Sequence, residues 1–175
     1  MNTSELSELV NLHGKAVYGF CRQLAKNSAD TDDLYQETFL RALELCQKID
    51  MDKNPKAFLI SIAAKLWKNN RRKYAWRQKI APTEELKDEG CNDYMFKNEA
   101  TPEDIVMHNE LKAIVQNAAD TLSNKLKIPL YMYYTAGMSN EDIASALKIP
   151  PGTVKSRLHK ARLALKNILE VNEYE

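Results

Sequence analysis

The chain has 175 residues, 44% hydrophobic and 28% charged, with a formal net charge of +1. That length holds one large domain or two small ones around an ordinary core. No apolar run approaches the roughly 20 residues a bilayer-spanning helix needs. The opening "MNTSELSELV" also lacks the basic-then-apolar pattern of a secretory signal, so a cytoplasmic protein is expected.

Cys21, Cys46 and Cys91 form no CxxC pair, and with three scattered histidines they make no metal constellation. They read as isolated thiols, and neither metal nor cofactor is expected. With Gly and Pro scarce and apolar residues recurring at helical spacing, the fold class is all-α.

A first helix is predicted from Ser4 to Ala25, striped by Leu6, Leu9, Val10, Val17, Phe20, Cys21 and Leu24. "NSADTDD" ends it and starts a second, Thr31 to Lys48, with Ser28 or Asp30 as N-cap. After the polar "IDMDKNP", Asn54 and Pro55 form a cap and first-turn pair for a third helix reaching Arg77. The acidic "APTEELKDEGCNDYMFKNEA" reads as a mobile linker. Thr101, Pro102 and Asp104 restart helical structure, and Met107, Leu111, Ile114, Val115, Ala118 and Leu122 stripe the fourth helix. Ser123 caps a fifth, which Pro129 is expected to bend and Gly137 to stop.

Charge follows this division. Residues 1–80 carry 14 basic and 9 acidic groups, residues 81–110 carry 2 and 9, and residues 111–175 carry 9 and 6. Two basic modules joined by an acidic bridge are expected: 1–80, a linker over 81–101, and 102–175.

"MSNEDIASALKIPPGTVKSRLHKARLALK" is the most informative stretch. Ser139, with Asp142 three residues on, starts a short helix, "KIP" turns, and a second helix begins at Pro150 or Pro151. Val154, Leu158, Ala161 and Leu165 form its apolar back. Lys155, Ser156, His159 and Lys160 fall on another face. That is a helix-turn-helix whose second helix enters a DNA major groove. Gly152 and Thr153 bring bare backbone N–H groups to a phosphate. Lys155 and Lys160 suit phosphates or guanine edges, and Ser156 meets several base edges.

The third helix ends "AKLWKNNRRKYAWRQK". Lys65, Lys68, Arg71, Arg72, Lys73, Arg77 and Lys79 interleave with Trp67, Tyr74 and Trp76. Cations track phosphates and aromatics stack on unpaired bases. The competing reading puts Trp67 and Tyr74 in a core stripe with Phe58, Leu59, Ile62, Ala63 and Leu66. "DLYQETF" sets Asp33 and Glu37 at i, i+4, which looks like an acidic docking surface. No P-loop, dinucleotide turn or HExxH is present, so no enzyme and no small-molecule substrate are expected.

"DLYQETFLRAL", "PKAFLISIAAKLWKNNRR" and "GMSNEDIASALKIPPGTVKSRLHKARLAL" together resemble the extracytoplasmic-function (group IV) sigma factors of bacterial RNA polymerase. The resemblance implies that region 2, residues 9–77, docks on the β′ clamp helices of core polymerase through Asp33, Gln36, Glu37 and Phe39. It implies that the third helix, with Lys65, Lys68, Arg71, Arg72 and Trp76, melts and reads the −10 element. Region 4, about 102–170, would read the −35 element through Gly152, Thr153, Lys155, Ser156, His159 and Lys160 and touch the β flap. An anti-sigma factor is a further implied partner, besides core polymerase and promoter DNA. The chain departs from the family pattern at Lys65, where Asn is usual, at Phe58, where Trp is common, and at Pro129. The rival reading is a stand-alone helix-turn-helix regulator that binds duplex operator DNA by itself.

Overall fold

A computed structural model describes residues 3–25, 27–45, 54–80 and 113–172. The expected linker, the Thr101–Asp104 start, the loop before Asn54, Met107, Leu111, Cys46 and Cys91 lie outside the described residues. The side chain of Leu6 does too. Seven helices stand in the described part: α1 (Thr3–Leu24), α2 (Ser28–Glu44), α3 (Pro55–Ile80), α4 (113–121), α5 (Asn124–Tyr134), α6 (Asn140–Leu147) and α7 (Pro151–Asn172). The all-α expectation holds.

Helix α1 buries the predicted stripe of Leu9, Val17, Phe20, Cys21 and Leu24. Burial pushes the Cys21 thiol up to about 12, so the reactive thiolate is essentially missing at neutral pH. Alkylation in native buffer is therefore expected to spare Cys21, and unfolding in urea to expose it. Peptide mass mapping reads the site, and native labelling at the rate of a free thiol would undo this orientation of α1.

Helix α2 starts earlier than expected. The cap is Asn27, in extended conformation, whose Oδ1 accepts from the Asp30 amide at 2.7 Å. Its Nδ2 donates to the Asp30 carboxylate at 3.0 Å, so the two side chains also bond each other. Thr31 and Thr38 are buried, and their hydroxyls donate to the carbonyls of Asn27 and Leu34, four residues back, at 2.7 and 2.6 Å. Two polar residues therefore enter the core fully satisfied.

Helix α3 begins as expected, with Asn54 Oδ1 accepting from the Ala57 amide at 3.0 Å. It runs to Ile80, three residues beyond the expected end, and is about 39 Å long at 1.5 Å per residue. Its buried residues, Leu59, Ile60, Ile62, Ala63, Ala64 and Trp67, all lie in its first half.

In the C-terminal module, α5 continues through the buried Pro129. Gly137, at φ +60, makes the turn that ends this segment, a conformation glycine adopts without penalty. Ser139 caps α6, its Oγ accepting from the Asp142 amide at 3.1 Å. Helix α6 closes in a Schellman motif: the Ile149 amide reaches the Ala144 carbonyl at 3.0 Å and the Lys148 amide the Ser145 carbonyl at 3.3 Å. Lys148 takes the left-handed position, φ 54 and ψ 50, where a side chain costs about 1–2 kcal/mol.

The modules are not separate bodies in this structure. Helix α1 packs on α5, and α3 on α6. Buried side chains of both modules, Phe20 and Leu59 on one side and Met132 and Ile143 on the other, belong to one continuous core. Small groups form the seam. A Cβ on Gly19 would lie 3.6 Å from the Thr135 methyl, and Lys56 Nζ donates to the Gly137 carbonyl at 3.4 Å.

Candidate nucleic-acid and partner interfaces

The rotation of α2 decides what the chain offers at its acidic end. Helix α1 approaches α2 so closely that a Cβ on Gly14 would come within 2.8 Å of the Tyr35 hydroxyl. Tyr18, Tyr35 and Phe39 then stack edge to face, with ring centroids 5.4 and 5.0 Å apart. The Tyr18 hydroxyl donates to Asp32 at 3.1 Å. These contacts turn Asp33, Gln36 and Glu37 outward together, all exposed.

Phe39 does not join them. It is 7% exposed and belongs to the core, so its place in the docking set is corrected to that of a support beneath it. The physical reason is periodicity: Thr31, Leu34, Tyr35, Thr38, Phe39 and Ala42 form the inward stripe. The outward row instead gains a residue that the sequence reading missed, Leu40, 63% exposed at i+3 from Glu37. An exposed leucine among carboxylates and an amide suits a partner better than it suits water. Glu37 also accepts a hydrogen bond from Asn70 of α3 at 3.4 Å, which joins this face to the next.

Beyond Trp67, α3 leaves the core. Lys68, Arg71, Arg72, Lys73 and Arg77 are exposed, as is Lys65 one turn earlier. The two tryptophans divide as the competing readings allowed: Trp67 is 7% exposed and Trp76 67%. Trp67 still shapes the surface, because the Arg71 guanidinium lies over its ring at 5.5 Å. Tyr74, proposed for the core stripe, is exposed at 45%. Cations and a free indole thus share one projecting rod, a form suited to single-stranded nucleic acid.

Helix α7 is anchored from behind by Val154, Leu158 and Ala161, none more than 1% exposed. Leu165 is partly buried against the same core. Gly152, Lys155, Ser156, His159 and Lys160 are exposed and Thr153 is half-buried. A Cβ on Gly152 would meet nothing within 4 Å, so packing does not require glycine there.

Behind α7 lies an apolar groove of about 720 Å³ with Val115, Ala119, Leu130, Leu165 and Leu169 in its lining. Tyr131 also lines it. Its hydroxyl accepts from Gln116 at 3.1 Å, and burial foremost raises its pKa to about 12. Sequence reading missed the groove because its walls come from α4, α5 and α7, with Gln23 of α1 at one side, segments that share no local pattern. Among the described residues no cluster of His, Cys, Asp and Glu is arranged to hold a metal ion. No helix among them is long and apolar enough to cross a membrane.

Comparison with known proteins gives these surfaces a context. The family profile described as Sigma-70 region 2 matches residues 9–77, and that described as Sigma-70, region 4 matches residues 112–165. The chain is 28% identical to the ECF RNA polymerase sigma factor SigW of Bacillus subtilis, covering 93% of this chain and 88% of the relative. It is 30% identical to the RNA polymerase sigma factor HrpL of Pseudomonas syringae pv. syringae, covering 86% and 79%. The fold superimposes with a TM-score of 0.77 on the sigma factor RpoE of Bartonella quintana, solved in complex with the anti-sigma factor NepR, at 21% identity over 97% of this chain and 99% of that one. Two matched regions in this order do not favour the stand-alone regulator. The chain belongs to the sigma-70 family of RNA polymerase sigma factors, in its extracytoplasmic-function branch.

Proposed function

We propose a division of labour along the chain. Residues 1–80 act as region 2: the row Asp33, Gln36, Glu37 and Leu40 docks on core polymerase. The exposed half of α3 opens and reads the −10 element through Lys65, Lys68, Arg71, Arg72 and Trp76. Residues 102–175 act as region 4, with α7 reading the −35 element as duplex. The apolar groove faces the β flap, because it lies behind α7 and leaves the DNA side of that helix free. The observation that carries this reading is α3 itself, whose core-bound first half holds a projecting cationic second half ending in an exposed indole. Such a chain is a specificity subunit working in the cytoplasm, with no chemistry of its own. An anti-sigma protein that covers these surfaces is a further partner, supported by the fold shared with a sigma factor solved in such a complex.

Transcription with purified bacterial core polymerase, with and without the chain, tests the reading, which requires initiation at specific promoters only when the chain is added. Within that assay Trp76→Ala is expected to slow promoter opening about 5- to 150-fold, the equivalent of about 1–3 kcal/mol of base stacking. Initial binding should change much less. Permanganate reactivity of the −10 thymines follows the opening step, and normal opening by this variant would remove Trp76 from the site.

A further inference from the structure

We infer that Lys148, in the turn between α6 and α7, is a DNA phosphate contact that sets how α7 seats in the groove. This rests on the assignment of α7 as the DNA-reading helix. Among the described residues, Lys148 is the only non-glycine with positive φ. Its place in the Schellman motif is the one where glycine is the usual residue. Neither neighbour demands a lysine: the motif's two hydrogen bonds use backbone atoms alone, and glycine would make both.

The side chain does no visible work inside the protein. Lys148 is exposed, and among the described residues its ammonium has no hydrogen-bond or ion-pair partner. It stands three residues before Pro151, the first residue of α7. The exposed Gly152 and Lys155 follow across the turn. A cation here stands beside the start of the reading helix, three residues before its first turn. Contacts to phosphates fix the register and orientation of a protein on the duplex, and base contacts then specify. A lysine kept in a conformation that disfavours it, at the mouth of that helix, fits the first role. Attraction to the C-terminal dipole of α6 is the alternative use of the charge, and it makes a different forecast for DNA.

The test measures holoenzyme binding to a promoter with a −35 element across a salt series, together with the melting temperature of the free chain. Lys148→Gly is expected to raise the melting temperature by about 2–8 °C, since strain is relieved, and to weaken DNA binding. The slope of log affinity against log salt should fall by about one unit. The deficit against the parent then shrinks about three- to fourfold between about 50 and about 200 mM salt. Lys148→Asn, neutral and tolerant of the left-handed region, should show the same loss of slope. Lys148→Arg should keep the parental slope. Stability and affinity moving in opposite directions is the signature of the inference. Parental affinity and slope in both neutral variants would overturn it. Lys155→Ala run alongside separates the two levels: if it loses binding while the Lys148 variants do not, only this inference fails. If all of them bind as the parent does, the assignment of α7 fails and takes this inference with it.

Discussion

Reversing two charges, Asp33→Lys with Glu37→Lys, is expected to weaken binding to core polymerase by about 100-fold or more. The melting temperature should stay within about 2 °C of the parent. Like charges brought together at an interface cost several kcal/mol, and each 1.4 kcal/mol is a factor of ten in affinity. Both carboxylates are exposed, and among the described residues Glu37 has only the 3.4 Å hydrogen bond from Asn70, so folding loses little. Leu40→Ser tests the apolar part of the same row without altering charge. Co-purification with core at parental affinity, by the double variant and by Leu40→Ser, would remove α2 from the interface.

The second large effect is expected behind the DNA-reading helix. Leu158 is 1% exposed and belongs to the shared core. Leu158→Ala should destabilise the chain by about 2–5 kcal/mol, lowering the melting temperature by about 4–20 °C. Because the core is continuous, a single cooperative transition is expected to move as a whole. Ser156→Ala and His159→Ala, one residue to either side along α7 from the Arg157–Leu158 pair, should leave melting unchanged. They should shift the preferred −35 sequence by about 1–3 kcal/mol per lost contact. Calorimetry and binding over a library of −35 variants separate the two classes. A stable Leu158→Ala protein would mean that the buried and DNA-facing sides of α7 have been exchanged.

Much of this was legible in the sequence because it is local. The back of α7, the Asn54–Pro55 start of α3 and the Ser139–Asp142 cap of α6 each depend on residues within a turn or two of one another. The errors are instructive for the same reason. Asn27 caps α2 instead of Ser28 or Asp30, because a cap is chosen by the extended backbone of one residue, which the side-chain types of "NSADTDD" do not reveal. The resemblance implies Phe39 at the docking face, whereas its spacing with Leu34, Tyr35, Thr38 and Ala42 puts it inside. Thr31 and Thr38 concealed that stripe, since their polarity shows in the sequence and their backbone hydrogen bonds do not. The groove behind α7 and the seam between the modules were not legible at all. Both arise where distant segments meet, the seam through Gly19, Thr135, Gly137 and the tail of Lys56, residues that carry no periodic signal.

That seam bears on how much polymerase the chain can claim. The −10 and −35 elements are, by their names, about 25 base pairs apart, roughly 85 Å of duplex at about 3.4 Å per pair. The packed helices hold fewer than the 175 residues of the chain, and a globular body of even that full number has a radius of gyration of only about 16 Å. The packed arrangement therefore cannot reach both elements, and its halves must part on the way to a promoter. Apparent affinity for polymerase is then the intrinsic affinity scaled by the parted fraction. If about one molecule in a hundred is parted, polymerase meets a chain about a hundredfold weaker, a handicap of about 2.8 kcal/mol in any contest with other specificity subunits. A methyl group more or less at Gly19 or Thr135 would reset that handicap without touching a residue that meets DNA or polymerase.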